Sequence, residues 1–511
     1  MPSGNPQAKF SEARLPPAID IVWNITAPLD EGTLGSALLA FSGAAKLAGV
    51  RWPDLYAGAP ILRLLVAGVT DNSLLRAAER DGWQIVAYGP AMPPAAQVGV
   101  YAVERGEAET VPAQSPAIVF EADGRASFGN AVRNAPMLSG EPIPRDWGPV
   151  EREAVCQALL GPPLRRVERK NLLDFLGEDA GQRPWRFAYD ILLRLIGEPR
   201  PKSTGGADEW AEALAAAETF RPQSANALAA LKKEHQRADA LAVVYGERWR
   251  STLAARSFLL FLTNLASGLV GVLFPNLAVG TLPIQFAVVV LTYADQRIAR
   301  ARRWRGRWLD YRRLAETLRV SRYLTMAGAR LPAIAEPTWV DWRLKAALRQ
   351  SEPQPPLDDQ AAQRFLDYLA TTEIGGQIAY HASAYRRFRR LDARLRGAGT
   401  FAMIAASVLG LGFAILAVSG LGGYSISFLS AVSFSVGSGP GLHAALNALR
   451  AQLDVARQTA RSARIGLELR RLRREMSKAR PSAATAIEAA ERAAAIMLED
   501  VSTWGRVMEI V

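Results

Sequence analysis

The sequence predicts an α/β domain followed by an all-α membrane domain, in which two helical hairpins cross a bilayer four times and long helices remain in the cytoplasm. Short apolar strands alternate with helix-like stretches in residues 1–150, which is the pattern of an α/β domain. Further along, no charged residue occurs from Ser257 to Ala294, and none from Gly397 to Leu449 apart from the neutral His443. Because one span needs about 20 apolar residues, each block is long enough to cross a bilayer twice.

Each apolar block is interrupted where a hairpin needs a turn. The interruptions are FPNLAVGTLP and SGLGGYS, which are rich in the glycine and proline of turns. The pattern predicts helices at about 257–274, 281–294, 400–418 and 424–442, the second of which is short and is expected to continue into the interface. A buried pair of core helices is the alternative, but such helices usually carry a polar stripe.

Arginines crowd against both ends of each apolar block. Three lie between residues 248 and 256, six between 297 and 307, six between 386 and 396, and four between 450 and 464. Both predicted turns lack Lys and Arg. Since positive loops stay in the cytoplasm, we expect a multi-pass protein with both termini cytoplasmic.

The charge of +12 admits a second explanation, which is nucleic-acid binding. That function would place the arginines in a recognised module away from the apolar blocks, interleaved with aromatic residues. Here they flank the blocks, and Trp304 and Trp308 sit where an interfacial aromatic belt is expected. We therefore expect a lipid bilayer as a partner and no nucleic acid.

The N-terminal pattern predicts a parallel sheet, with strands at 18–25, 61–67, 83–88 and 116–122. Ligands of such sheets bind beyond the carboxyl ends of the strands. The loops there are rich in Gly, Asp, Asn, Ser and Thr, which suit a phosphate or a ribose but are also common turn residues. The candidate nucleotide-binding residues are Thr26, Thr70, Asp71, Asn72, Gly124, Ser127 and Gly129. Asp71 has an alternative role as a helix cap.

The chain divides into six segments on this interpretation. Residues 1–150 form the sensor-like domain, 151–240 a helical connector, 241–330 the first basic helix and hairpin, 331–396 a cytoplasmic helical segment, 397–449 the second hairpin, and 450–511 a cytoplasmic helical tail. The two membrane halves share one plan, in which a basic helix, a charge-free hairpin and another basic helix follow each other. This shared plan suggests a duplication.

Residues with catalytic or metal-binding chemistry are sparse. The three histidines lie far apart and show no metal-ligand spacing, and no acid and base pair can be named. His381 is expected to be a satisfied residue on a helix face. The single cysteine, Cys156, is expected to be a small core residue. We therefore expect no catalytic residues, no metal, no cofactor and no enzymatic activity, and the N-terminus shows no apolar signal-peptide region.

Hydroxyl groups recur along the fourth predicted helix. The serines at 427, 430, 433 or 435, and 438 gather on one side of a helix. Such a stripe packs against a neighbouring helix or lines water. If it lines a pore, the lining residues are Ser427, Ser430 and Ser438.

Several stretches resemble one family. ADALAVVYGERWRSTLAARSFLLFL, WLDYRRLAETLRVSRYLTMAG, IAYHASAYRRFRRL and MLEDVSTWGRV resemble the SLATT-type membrane effectors of prokaryotic conflict systems. GVTDNSLLRAAERDGWQIVAYGP and AQSPAIVFEADG resemble a degenerate SLOG domain, which is a Rossmann-like nucleotide-sensing fold. The pattern departs at TAPLD, where the SLOG family can have His-Arg-Asp-Leu, and at ASFGN, where it has Gly-Gly-Thr.

The resemblance implies a function in anti-phage defence by abortive infection. It implies an effector in the bacterial inner membrane that forms a homo-oligomer and that a nucleotide second messenger opens, so that the membrane becomes permeable. Two alternatives remain. One is a membrane-anchored scaffold or transporter without gating, and the other is a nucleotide-processing enzyme anchored to the membrane, because a fold does not fix a function.

Overall fold

A computed structural model gives the fold of the chain. It describes residues 13–24, 31–67, 76, 78–88, 100–104, 117–120, 126–129, 148–162, 165–197, 209–274, 282–329, 338–350, 357–419 and 426–508. Within these ranges the protein is predominantly helical, and a small sheet lies near its N-terminus.

The sheet has six strands in the order β3-β2-β1-β4-β5-β6. The first five strands are parallel, and β6 pairs antiparallel with β5. Their bounds are β1 Ala18–Asn24, β2 Ile61–Ala67, β3 Gln84–Tyr88, β4 Val100–Glu104, β5 Ala117–Phe120 and β6 Ala126–Gly129. Four of these strands lie where the apolar runs of the sequence predicted them.

The described part of the chain has fourteen α-helices. They are α1 Glu31–Arg51, α2 Pro149–Leu160, α3 Arg166–Gly177, α4 Phe187–Leu195, α5 Glu209–Phe220, α6 Ala225–Leu273, α7 Leu282–Ala301, α8 Trp304–Ala327, α9 Trp339–Leu348, α10 Asp359–Tyr368, α11 Ile374–Val418, α12 Ile426–Gln452, α13 Val455–Met476 and α14 Ala483–Met508. A π-helical turn, Leu369–Glu373, joins α10 to α11 without a break.

The predicted fold class is wrong. The described chain is not an α/β domain followed by four membrane spans. Only one helix among the described residues, Asp359–Leu416, is long and apolar enough to cross a membrane. This helix consists of α10, the π-helical turn and α11, and only 11% of its most apolar stretch is buried. A core helix of a soluble protein is largely buried, so the low burial fits a membrane helix better.

The other three predicted spans are shorter or more polar than a span requires. Helix α7 has 13 charge-free residues, from Leu282 to Ala294, which falls short of about 20. The charge-free end of α6, 257–273, has 17 residues and includes polar side chains. Helix α12 contains five serines and three glycines between residues 426 and 441. The intervening turns, 275–281 and 420–425, lie outside the described residues.

Two pairs of helices run antiparallel at their apolar ends. Between α6 and α7, Gln285 of α7 donates from its side chain to the Ser267 hydroxyl of α6 at 2.5 Å. Arg256 of α6 pairs with Asp295 of α7 at 2.7 Å. Between α11 and α12, Gly439 of α12 lies against Ala402 and Ala406 of α11. Each pair therefore leaves the helical body and returns to it.

The two halves of the helical part repeat one arrangement. In the first half, α6 and α7 are followed after two residues by α8, and the residue before α8 is Arg303 with φ 50° and ψ 38°. In the second half, α11 and α12 are followed after two residues by α13, and the residue before α13 is Asp454 with φ 52° and ψ 36°. Non-glycine residues seldom adopt this left-handed conformation. The backbone repeat agrees with the shared plan of the sequence.

The sheet and the helical body share one apolar core. Strand residues such as Leu64 pack into the same cluster as Phe175 of α3, Tyr311 of α8 and Trp339 of α9. The rings of Phe175 and Trp339 lie 5.2 Å apart between centroids, and those of Tyr311 and Trp339 lie 5.9 Å apart. A shift of the sheet would therefore disturb α8 and α9 directly.

Candidate functional site: apolar helix ends and an arginine-lined cavity

The apolar ends of α7 and α11 are exposed along much of their length. Phe286 is 71% exposed, Phe401 73% and Val418 90%. Soluble monomers rarely expose contiguous apolar surface on this scale. The helix ends therefore form a surface suited to lipid, in agreement with the single helix that meets the requirements of a span.

Charged pairs border this apolar surface. Arg256 pairs with Asp295 across α6 and α7, and in α11 Asp392 pairs with Arg396 at 2.8 Å. The Arg450 guanidinium of α12 also donates to Asp392, so the second border links two helices as well. Arginines in such a position meet phosphate headgroups at the surface of a bilayer.

Most predicted nucleotide-binding residues lie outside the described residues, namely Thr26, Thr70, Asp71, Asn72 and Gly124. The other two lie in a strand. Ser127 and Gly129 belong to strand β6, where they pair with Val119 and Ala117 of β5. Because β6 runs antiparallel, Gly129 lies at the amino end of β5, away from the carboxyl edge where ligands were expected.

The predicted pore-lining serines all lie in α12. The side chains of Ser427 and Ser430 are outside the description, whereas Ser438 is half-buried. One residue further on, Gly439 is buried, and a Cβ atom there would overlap the Ala406 methyl group and the Ala402 carbonyl. At this end of the stripe, small residues thus allow α11 and α12 to approach closely, as in membrane helix pairs.

A cavity of about 490 Å³ lies in the helical body below the apolar surface. Helices α4, α6, α8, α11, α13 and α14 contribute to its wall, as does the junction between α12 and α13. Six arginines and three carboxylates line it, which leaves an excess of positive charge. The arginines are Arg250, Arg312, Arg313, Arg319, Arg387 and Arg461, and the carboxylates are Glu247, Asp310 and Glu316.

One carboxylate in the cavity holds two arginines. Glu316 pairs with Arg312 at 2.7 Å and with Arg319 at 2.5 Å. Burial alone would raise the pKa of Glu316, but the two guanidinium groups outweigh it and lower the pKa. The side chain of Arg312 keeps 42% of its surface accessible, so solutes in the cavity can reach it.

Positive charge also affects two other groups on the cavity wall. Burial, together with the nearby Arg312, lowers the pKa of Arg461 to about 10. Burial and the cations Arg461 and Arg319 lower the pKa of His381 to about 4. In the described part of the chain, no protein hydrogen-bond partner reaches Nδ1 of His381.

Local sequence patterns did not predict this cavity. Its clearest signal is YRRLAETLR, which places Arg312, Glu316 and Arg319 on one face of a helix at spacings of four and three. The other arginines come from segments up to about 150 residues away, and only the packing of α6, α11 and α13 against α8 brings them together.

Buried ion pairs connect the sheet to the helices that form the cavity. Arg63 of β2 donates to both oxygens of Asp20 in β1, at 2.7 and 3.1 Å, and to the Arg349 carbonyl at 2.6 Å. Arg343 of α9 donates to both oxygens of Glu234 in α6, at 3.0 and 2.7 Å. These contacts lead from β2 through the end of α9 to α6, which runs on to the apolar surface.

Two other side chains with reactive groups, Cys156 and His235, are packed inside the protein. Cys156 is buried in the core, as expected, and burial raises its pKa to about 12. His235 accepts a hydrogen bond from Trp210 at 3.1 Å. Among the described residues, no group of three or more His, Cys, Asp or Glu could hold a metal ion.

Comparison with known proteins returns no matching family model, no matching curated protein and no matching solved structure. The resemblance to SLATT and SLOG domains therefore rests on the residues quoted above.

Proposed function

We propose that the chain is a bacterial inner-membrane effector of anti-phage defence, which a nucleotide second messenger switches to a state that makes the membrane permeable. The observation that carries this proposal is the exposed apolar end of α11 beside a border of arginines. An exposed surface of this kind would be unfavourable in water and is stabilised in a bilayer.

In this proposal α11 crosses the bilayer, and α12, which is too polar to cross a bilayer by itself, returns the chain to the cytoplasmic side because it packs against α11. The contact of Gly439 with Ala402 supports the return, because it requires α12 to run antiparallel beside α11. Arginines lie at the cytoplasmic ends of both helices, Arg396 on α11 and Arg450 on α12. The positive-inside rule then places both termini in the cytoplasm.

A homo-oligomer is part of the proposal. One helix pair cannot enclose an aqueous path, because a channel needs polar groups on all sides. Several copies that pack through small residues could do so.

The messenger would bind at the carboxyl edge of the sheet, with Thr26, Thr70, Asp71, Asn72 and Gly124 as candidates. The buried contacts of Arg63 and Arg343 support transmission from the sheet to α6. Binding can open the protein only if the messenger has a higher affinity for the open state than for the closed state.

The test is messenger-dependent leakage from liposomes that contain the full chain and an entrapped dye. Cyclic di-AMP, cyclic GMP–AMP and cyclic ADP-ribose would be added one at a time. Release with one of them, and none without it, agrees with a gated effector. Release that no compound alters, or no release at all, would favour an anchor or transporter.

A further inference from the structure

We infer that the arginine-lined cavity is a second ligand site, and that its ligand is a nucleotide whose phosphates contact the arginines and whose base stacks on the aromatic wall. This inference deepens the proposed function. Only the effect of the ligand on gating rests on that proposed function. Binding itself requires no membrane activity.

The charge of the cavity indicates an anion. Each of the three carboxylates already has a positive partner or a donor within hydrogen-bond distance. Glu316 has Arg312 and Arg319, Glu247 has Arg250 at 2.9 Å, and Asp310 accepts from the Trp339 indole at 3.3 Å. Asp341, which lies outside the wall, pairs with Arg313 at 3.4 Å, so six arginines face four carboxylates and positive charge remains in excess. Guanidinium groups bind phosphate with two parallel hydrogen bonds, which makes phosphate the best-matched anion.

Mutual repulsion among the arginines supports the same conclusion. The pKa of Arg461 is lowered to about 10 by burial and by Arg312, and that of His381 to about 4 by burial and by Arg461. A bound phosphate would lie between these groups and offset their repulsion. The cluster is therefore more favourable with an anion than without one.

Aromatic side chains indicate that the ligand also carries a flat ring. Trp249, Trp308, Tyr380 and Phe388 line the same cavity as the arginines. The Arg250 guanidinium lies 5.3 Å from the Trp308 ring centre, and that of Arg387 lies 5.4 Å from the Phe388 ring centre. Aromatic side chains beside arginines are the combination that binds bases and phosphates together. The volume of about 490 Å³ lies within the range of small-molecule sites.

The position of the cavity brings its ligand close to the apolar ends of α6 and α11. Arg250 lies seven residues before Ser257, where the charge-free end of α6 begins, and this corresponds to about 10 Å along a helix. Leu391 of α11 lines the cavity six residues before Gly397, which corresponds to about 9 Å. The ligand would thus draw α6, α8, α11 and α13 together directly beneath the bilayer.

The test measures binding of the fluorescent nucleotide trinitrophenyl-ATP to the full chain in detergent. Arg387→Gln combined with Arg461→Gln should weaken binding at least tenfold. The control combines Arg387→Gln with Arg471→Gln. It removes the same amount of charge but leaves Arg461 in the cavity, because the second change falls on an exposed residue of α13. It should weaken binding much less. Equal affinity in the two double variants and the wild type would overturn the inference.

A second variant changes affinity in the opposite direction. Glu316→Gln releases Arg312 and Arg319 for the ligand, so binding should tighten about threefold or more. Weaker binding by a Glu316→Gln protein that keeps the wild-type circular-dichroism spectrum would count against phosphate contact by these arginines.

Competition distinguishes the possible sources of phosphate. ATP and cyclic di-AMP should displace the probe at lower concentrations than pyrophosphate, and Tyr380→Ala combined with Phe388→Ala should reduce that preference. If pyrophosphate competes as well as ATP, the site binds phosphate alone. If only phosphatidylglycerol vesicles compete, the ligand is a lipid headgroup. Either result overturns the nucleotide assignment.

Arginine-dependent binding without dye release would instead leave the inference intact and contradict the proposed function.

Discussion

Arg343 and Glu234 form a buried, doubly hydrogen-bonded ion pair between α9 and α6, with side-chain exposures of 1% and 8%. Arg343 also donates to the Ala13 carbonyl at 2.6 Å, and Ala13 precedes β1, which begins at Ala18. One guanidinium thus joins the segment that leads into the sheet, helix α9, and the helix that continues to the apolar surface.

Glu234→Ala should destabilise the protein strongly, because it leaves the Arg343 charge buried without its partner. Removing one member of a buried pair costs about 3–5 kcal/mol. The control is Glu488→Ala, which breaks the exposed pair with Arg492 and should cost about 0–1 kcal/mol. Denaturant unfolding in detergent measures both. Similar losses for the two variants would remove Glu234 from the connection between sheet and helices.

Gly439→Ala should separate α11 from α12. The added methyl group would overlap Ala406 and the Ala402 carbonyl, and overpacking of this kind costs about 1–3 kcal/mol. Gly441→Ala is the matched control, because no heavy atom lies within 4 Å of a Cβ at that position. Thermal unfolding in detergent should show a lower midpoint for the first variant only. Equal midpoints would mean that the two helices are not in close contact at Gly439.

Asp454→Val should destabilise the junction between α12 and α13. Residue 454 has φ 52°, and a β-branched side chain is unfavourable in that conformation by about 1–2 kcal/mol. Asp454→Asn should be nearly neutral, since asparagine tolerates left-handed backbone. Arg457→Val, inside α13, controls for the β-branched side chain alone. If Val is tolerated equally at 454 and 457, the left-handed junction is absent.

His235 and His381 should each make the folded protein less stable as the pH is lowered from about 6.5 towards 4. In the folded protein, burial and neighbouring arginines hold the pKa values of His235 and His381 at about 4, whereas the ordinary value is about 6.5. At these two histidines the unfolded chain therefore binds more protons in this window, and their titration favours unfolding as the pH falls.

His381→Gln should reduce that pH dependence. Buried carboxyl groups act in the opposite direction, because burial raises the pKa of Asp310 to about 6 and also raises the pKa values of Glu178, Asp239 and Asp341. They contribute equally in both proteins. Thermal midpoints of the two proteins at pH 7 and pH 5 give the comparison. An identical change in both would mean that His381 is not in the surroundings described above.

Local sequence patterns predicted the strands better than the membrane segments. The strands at 18–24 and 61–67 are continuous apolar runs bounded by turn residues, which local sequence identifies well. The number of spans was overestimated because freedom from charge was equated with apolarity. In α12 the charge-free stretch contains many serines and glycines, and α7 reaches Asp295 after 13 residues. The cavity could not be predicted, because its arginines meet only through tertiary packing.

The proposed function requires the apolar end of α11 to lie inside a bilayer. The most direct test labels Leu411→Cys with the fluorophore NBD in liposomes and measures quenching by lipids with spin labels on their acyl chains. Native Cys156 is buried, and the unsubstituted protein gives its background labelling. Arg471→Cys on α13 serves as the reference outside the membrane. We expect strong quenching at 411 and little at 471. Equal, weak quenching at both positions would contradict the account.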